Sequence, residues 1–130
     1  MFEIKNITMI YDMEKEEKVY ALGGFDLNLP DKGLVGIIGP SGSRKSTLMY
    51  CLSTLKTPTA GEILYNRKNL TGLKEQEREK LRRDEFGFVF QRHFLVPYMN
   101  SLANVTVAAN GKGEEVRKRA ESLLKSFGLG

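Results

Sequence analysis

The segment Gly39-Pro40-Ser41-Gly42-Ser43-Arg44-Lys45-Ser46-Thr47 constrains this chain more than any other stretch. Before it runs Gly33-Leu34-Val35-Gly36-Ile37-Ile38, apolar and of the buried-strand type. After it, Ser46 to Leu55 contains neither glycine nor proline and reads as a helix. Strand, glycine turn and helix in that order form a loop whose backbone N–H groups converge on an anion. The helix N-terminus adds partial positive charge at the same point. In this pattern Lys45 reaches the outer phosphates of a polyphosphate, and the Ser46 hydroxyl ligates a divalent cation. One position departs from G-x-x-x-x-G-K-[ST]: residue 44 is arginine where the pattern has glycine. An ordinary glycine turn beside a coincidental lysine is the competing reading.

At 130 residues the chain fits one domain. With 41% hydrophobic and 28% charged residues it is expected to be globular. No apolar run reaches the length of a membrane span. The start, Met1-Phe2-Glu3-Ile4-Lys5, lacks the basic and apolar regions of a signal peptide. Cys51 is the single cysteine, so no internal disulfide forms, and a small core residue in a reducing compartment is expected. A net charge of +4 says little about partners.

Apolar residues alternate over residues 2–10 (Phe2, Ile4, Ile7, Met9) and again from Val19 to Leu29. A polar turn joins these runs over Tyr11 to Lys18, and Pro30-Asp31-Lys32-Gly33 turns into the glycine loop. The first third thus reads as an antiparallel sheet leading into the loop strand. Thr57 to Gly61 ends the helix, Glu62 to Tyr65 is a short strand, and Leu73 to Asp84 is a charged helix. Phe86 to Phe90 reads as a second apolar strand, ending at Gln91. Ser101 to Ala109 and Glu114 to Phe127 read as helices.

With these segments in order, the chain resembles the N-terminal part of an ATP-binding-cassette (ABC) transporter ATPase, most closely the lipoprotein-release and macrolide-export subgroup. The carrying segments are Ile7-Thr8-Met9-Ile10-Tyr11, the glycine-rich loop, Thr57-Pro58-Thr59-Ala60-Gly61-Glu62-Ile63 and Phe86-Gly87-Phe88-Val89-Phe90-Gln91. They end with Leu95-Val96-Pro97-Tyr98-Met99 and Leu102-Ala103-Asn104-Val105. The implied architecture is α/β: a partial P-loop core with an N-terminal antiparallel sheet over residues 1–91, and the start of a helical subdomain over 92–130. The resemblance implies that Tyr11 stacks on adenine, that residues 39–47 hold the phosphates of ATP, and that Ser46 and Gln91 contact Mg²⁺. It implies that Phe94, Leu95, Val96 and Tyr98 face a permease subunit, although some of them read equally well as core. It also implies a second nucleotide-binding domain as partner, no nucleic acid, and a cytoplasmic place on the inner face of the membrane. Tyr11 and Gln91 also read simply as polar ends of strands. His93, without a second ligand or a nearby base, gets no catalytic role.

Two departures from the family pattern shape the functional expectation. Arg44 brings a Cβ and a long side chain to the phosphate cradle, and a left-handed conformation there costs a non-glycine residue about 1–2 kcal/mol. Guanidinium is itself a good phosphate ligand, but its charge helps only if the backbone cradle survives. Second, the resemblance stops at Gly130, before the signature motif, the aspartate-ending strand, the general-base glutamate and the switch histidine. Hydrolysis needs a positioned water and a base as well as phosphate contacts, so no residue here is assigned catalysis and no ATPase activity is expected of this polypeptide alone. The alternatives are a degenerate permease-docking module and a nucleoside-monophosphate kinase.

Overall fold

The computed structural model describes residues 1–12, 18–92, 94–109, 111 and 113–129. The polar turn expected between the first two strands falls partly on 13–17, and His93 also lies outside the described residues. The chain divides into two units, Met1–Phe86 and Gly87–Gly130.

The first unit is built on a mixed-length antiparallel sheet. Its strands are β1 (Phe2–Asp12), β2 (Lys18–Leu29), β3 (Ala60–Tyr65) and β4 (Lys68–Asn69), ordered β2-β1-β3-β4. The apolar phase of β1 slips between Ile4 and Ile7, and the structure explains why. Lys5 pairs with Glu62 and Thr8 with Ala60, so Asn6 and Ile7 together oppose Gly61. On the other side Ile4 pairs with Leu27 and Ile7 with Phe25, so Lys5 and Asn6 oppose Asp26. Two residues facing one is a β-bulge, and it returns Ile7 to the face that Ile4 occupies. Both side chains are fully buried. Asn6 takes the left-handed turn of the bulge, with φ of 48°, as asparagine tolerates. Its N–H donates to the Asp26 carboxylate at 2.6 Å.

Helix α1 (Lys45–Leu52) lies on this sheet through Thr47, Leu48, Cys51 and Leu52. Their spacing puts them on one stripe of the helix. Ile4, Ile7, Leu22, Leu48, Cys51, Leu52, Ile63, Leu70 and Leu81 make one core. Leu81 comes from α2 (Glu75–Asp84), whose other positions are mostly exposed. Arg82 ties α2 to the turn after α1 by donating to the Thr54 carbonyl at 2.8 Å, and within α2 it donates to Glu75 at 2.6 Å.

Burial pushes the Cys51 thiol above its ordinary range, against a smaller opposing pull from Lys56. A protonated, enclosed thiol is a poor nucleophile. Iodoacetamide at pH 8 is therefore expected to leave Cys51 unlabelled in the native protein and to label it fast in urea. Rapid native labelling would mean that α1 is not seated on the sheet.

Two expected strands do not form. Residues 33–40 and 86–90 make no ladder hydrogen bonds. Leu34 and Ile38 stand 100% and 97% exposed, and Val89 is fully exposed. The reason is physical: an apolar strand of this type is stabilised between parallel neighbours, and every pairing among the described residues is antiparallel. Only Ile37 and Phe86 of these runs pack partly on the core. Phe86 meets Tyr65 edge-on at 5.4 Å.

The second unit holds α3 (Ser101–Val107) and α4 (Glu114–Ser126). Asn100 caps α3 by accepting from the Ala103 N–H at 2.8 Å, one of the first-turn donors left without an intrahelical partner. Among the described helices none is long and apolar enough to cross a membrane.

Candidate functional site

Residues 39–47 curl into a closed turn ahead of α1. The Ser43 N–H donates to the Pro40 carbonyl at 3.2 Å, and Gly42 has φ of 81°. Gly39 is held close: a Cβ there would lie 2.7 Å from the Ser43 hydroxyl oxygen. The Lys45 ammonium folds back over the turn. It donates to the carbonyls of Gly39 and Pro40, each at 2.8 Å, and to the Ser43 hydroxyl at 3.1 Å. An ammonium prefers anionic oxygens to neutral ones, so this cation is poised over the loop for exchange onto an anion.

Arg44 is the residue from which α1 starts, with φ of 61° and ψ of 23°, and no side chain caps the helix. The first-turn amides of Lys45, Ser46 and Thr47 therefore have no partner within the helix. They, the helix dipole and the Lys45 charge lie at one end of α1. Gly39, Pro40, Ser41, Gly42, Ser43, Arg44 and Ser46 are exposed, Lys45 is half-buried, and Thr47 is buried on the sheet side. The left-handed conformation at 44 bears directly on the departure seen in the sequence. This is a backbone that glycine adopts freely and arginine adopts only under strain.

Tyr11 lies near the end of β1, paired with Val19 of β2. The ammonium of Lys56 donates to its hydroxyl at 2.8 Å, with its nitrogen at the hydroxyl edge of the ring, 4.5 Å from the centroid. Sequence reasoning passed over Lys56, and nothing in its local pattern marks it; the contact depends on the loop after α1 folding back onto β1.

The other candidate residues belong to the second unit. Gln91 is exposed. Phe94, Leu95 and Tyr98 are 70%, 69% and 87% exposed, and Val96 is half-buried. Phe90 stacks in parallel with Phe88 at 5.7 Å and meets Phe94 edge-on at 4.9 Å. Asn104 organises the segment before α3: its carboxamide accepts from the Val96 N–H at 2.8 Å and donates to the Met99 carbonyl at 2.9 Å. It too carried no assigned role in the sequence, though an asparagine inside so short a helix is a signal of backbone bracing.

No group of three or more His, Cys, Asp or Glu able to hold a metal occurs among the described residues. Ser46 is exposed beside the uncapped first-turn amides, and its hydroxyl is of a type that can ligate a divalent cation.

The family profile described as ABC transporter matches residues 22–130. An uncharacterized ABC transporter ATP-binding protein, MJ0796 of Methanocaldococcus jannaschii, is 41% identical over 96% of this chain and 55% of its own length. The macrolide export ATP-binding/permease protein MacB of Marinobacter nauticus is 42% identical over the whole chain and 20% of its own length. The lipoprotein-releasing system ATP-binding protein LolD of Xanthomonas axonopodis pv. citri is 36% identical over 97% of this chain and 56% of its own. A dimeric MJ0796 cassette in a post-hydrolysis state bound to ADP and Pi superposes with a TM-score of 0.86 at 40% identity. The superposition covers 96% of this chain and 56% of that one. The chain thus spans about half the length of the single-cassette relatives it matches. By fold it is part of a cassette, with the antiparallel lead-in sheet and the first helices that follow. This chain belongs to the ABC transporter family.

Proposed function

We propose that this chain is the ATP-binding component of a membrane exporter, with residues 39–47 as the cradle for the triphosphate of MgATP. The observation that carries the proposal is the Lys45 ammonium folded over a loop whose following helix is uncapped. Ser41, Gly42 and Ser43 surround the phosphates with Gly39 and Pro40, Lys45 contacts the outer ones, and Thr47 anchors the turn to the sheet. Ser46 supplies a hydroxyl ligand to Mg²⁺, which when bound neutralises phosphate charge. Tyr11 stacks on adenine. Phe94, Leu95, Val96 and Tyr98 form the face toward a permease subunit, their apolar exposure supporting that reading. A second nucleotide-binding domain pairs with this one, on the cytoplasmic face of the membrane, and nucleic acid plays no part. The segments supply the phosphate side of the chemistry.

Arg44 favours a second reading, a docking module that occupies the permease with little nucleotide bound. The nucleoside-monophosphate kinase alternative gives way to the family assignment. Calorimetric titration with MgATP separates the two readings. Arg44→Gly is expected to tighten ATP by about tenfold, since removing about 1–2 kcal/mol of left-handed strain and a bulky side chain lets the cradle close. Equal affinities would show that Arg44 is no obstacle.

A further inference from the structure

A single carboxamide holds most of the backbone between Val96 and Asn100. Asn104, half-buried in α3, accepts from the Val96 N–H at 2.8 Å. Its own N–H groups reach the carbonyls of Val96 at 3.2 Å, Met99 at 2.9 Å and Asn100 at 3.2 Å. Both backbone polar groups of Val96 are thus satisfied by one side chain. The Met99 N–H donates to the Val96 carbonyl at 3.0 Å and closes the turn. Pro97 fixes its own φ and favours an extended Val96. Asparagine is a weak helix former, and α3 does not need this one for its N-terminus, which Asn100 already caps. The brace therefore serves the segment before the helix. That segment has its backbone tied down while Phe94, Leu95 and Tyr98 stand in solvent.

We propose that Asn104 is a positioning residue for the docking of a permease subunit, holding residues 96–100 so that the apolar side chains they carry and adjoin are already presented when the partner arrives. The proposal rests on the permease reading above. Ordering a loop during association subtracts from affinity, and a segment ordered beforehand avoids that loss. Asn104 acts through the backbone it holds and not by contact with the partner. Both halves of its carboxamide are needed. Aspartate keeps an acceptor for the Val96 N–H but sets a carboxylate against the carbonyls of Val96, Met99 and Asn100. Alanine removes donor and acceptor together. An asparagine that merely stabilised its unit would matter to docking no more than any other stabilising residue there.

Binding of the full chain to the detergent-solubilised permease portion of the Marinobacter nauticus MacB protein, immobilised on a sensor, tests this together with amide exchange at Val96. Asn104→Ala and Asn104→Asp are each expected to weaken permease binding by about tenfold, the cost of ordering one or two side chains on association. Exchange of the Val96 N–H is expected to quicken by more than about tenfold in both. Ala120→Gly is the stability control. Ala120 is buried in α4 and takes no part in the brace, so glycine there lowers the unfolding midpoint while permease affinity stays within about twofold of the parent. An unchanged permease affinity in Asn104→Ala, a Val96 amide that stays protected, or an equal loss in Ala120→Gly would each overturn the proposal. The double variant Phe94→Ser with Leu95→Ser separates it from the reading beneath it. If that variant loses binding while Asn104→Ala does not, only the role of Asn104 fails. A parent chain that does not bind, or a double variant that binds as the parent does, would reject the permease face and this proposal together.

Discussion

Replacing Lys45 by methionine is expected to weaken triphosphate binding by about a hundredfold while leaving the unfolding midpoint nearly in place. The two effects separate because the side chain lies on the solvent side of its helix. Its three hydrogen bonds go to loop oxygens at 2.8, 2.8 and 3.1 Å in an exposed setting. Such bonds are traded against water and contribute little to stability. The stripe that seats α1 on the sheet is Thr47, Leu48, Cys51 and Leu52, and methionine at 45 does not touch it. Binding is different. The ammonium exchanges neutral oxygens for anionic ones, and a hydrogen bond to a charged group contributes about 1.5–3 kcal/mol, or one to two powers of ten. Affinity should also fall as salt rises, with a gentler slope in the variant, because one cation fewer faces the phosphates. Titration with ATP and with tripolyphosphate, paired with urea denaturation, checks both halves. A loss smaller than about tenfold for tripolyphosphate would remove Lys45 from the phosphates, and a large drop in midpoint would make its role structural.

Much of this arrangement was legible in the residues because it depends on local pattern. The glycine loop, α1, β3, α2, α3 and α4 each follow from punctuation by glycine and proline and from apolar period. The strand over residues 2–10 was legible from its apolar alternation, but its bulge opposite Gly61 was not expected. The short strand β4 escaped because its turn, Asn66-Arg67, has φ of 49° and 66° at both central residues. Such a turn ordinarily advertises itself with Asn-Gly, and an arginine hides it. The two apolar runs at 33–38 and 86–90 carry the strand signal but lack a ladder, since a strand is a property of its neighbours as much as of its own residues. In the candidate site, the residues of the loop were legible and the conformation of Arg44 was anticipated as a conditional. The Lys56 contact and the Asn104 brace were not, because each joins a side chain to a segment whose path the local sequence does not encode.

The bulge that seats β1 also makes Gly61 the least replaceable position in the first unit. Its φ is 89°, and a Cβ there would lie 2.3 Å from the Asn6 carbonyl oxygen and 2.6 Å from that of Lys5. Both obstacles are backbone, so no rotamer change relieves them. Asn6 cannot retreat either, because its N–H is held by Asp26 on the far side and its neighbour Ile7 is fully buried. Alanine at 61 must therefore push β3 away from β1 at the centre of the sheet, where Ile4 and Ile63 share the core. Left-handed strain of about 1–2 kcal/mol and forced displacement of about 1–3 kcal/mol together approach the whole stability of a small domain. Gly61→Ala is expected to leave the unit largely unfolded or to lower its urea midpoint by more than about 1 M. Cys51 labelling would report the same event, since opening the sheet exposes the thiol. Gly23→Ala is the control: a Cβ at 23 meets nothing within 4 Å, so its midpoint should stay near that of the parent. If the two variants unfold alike, the close approach of β3 to the bulge does not exist in solution. The loop from Lys56 to Thr59, which reaches Tyr11 only because β1 and β3 are joined, would then lose the basis for its placement.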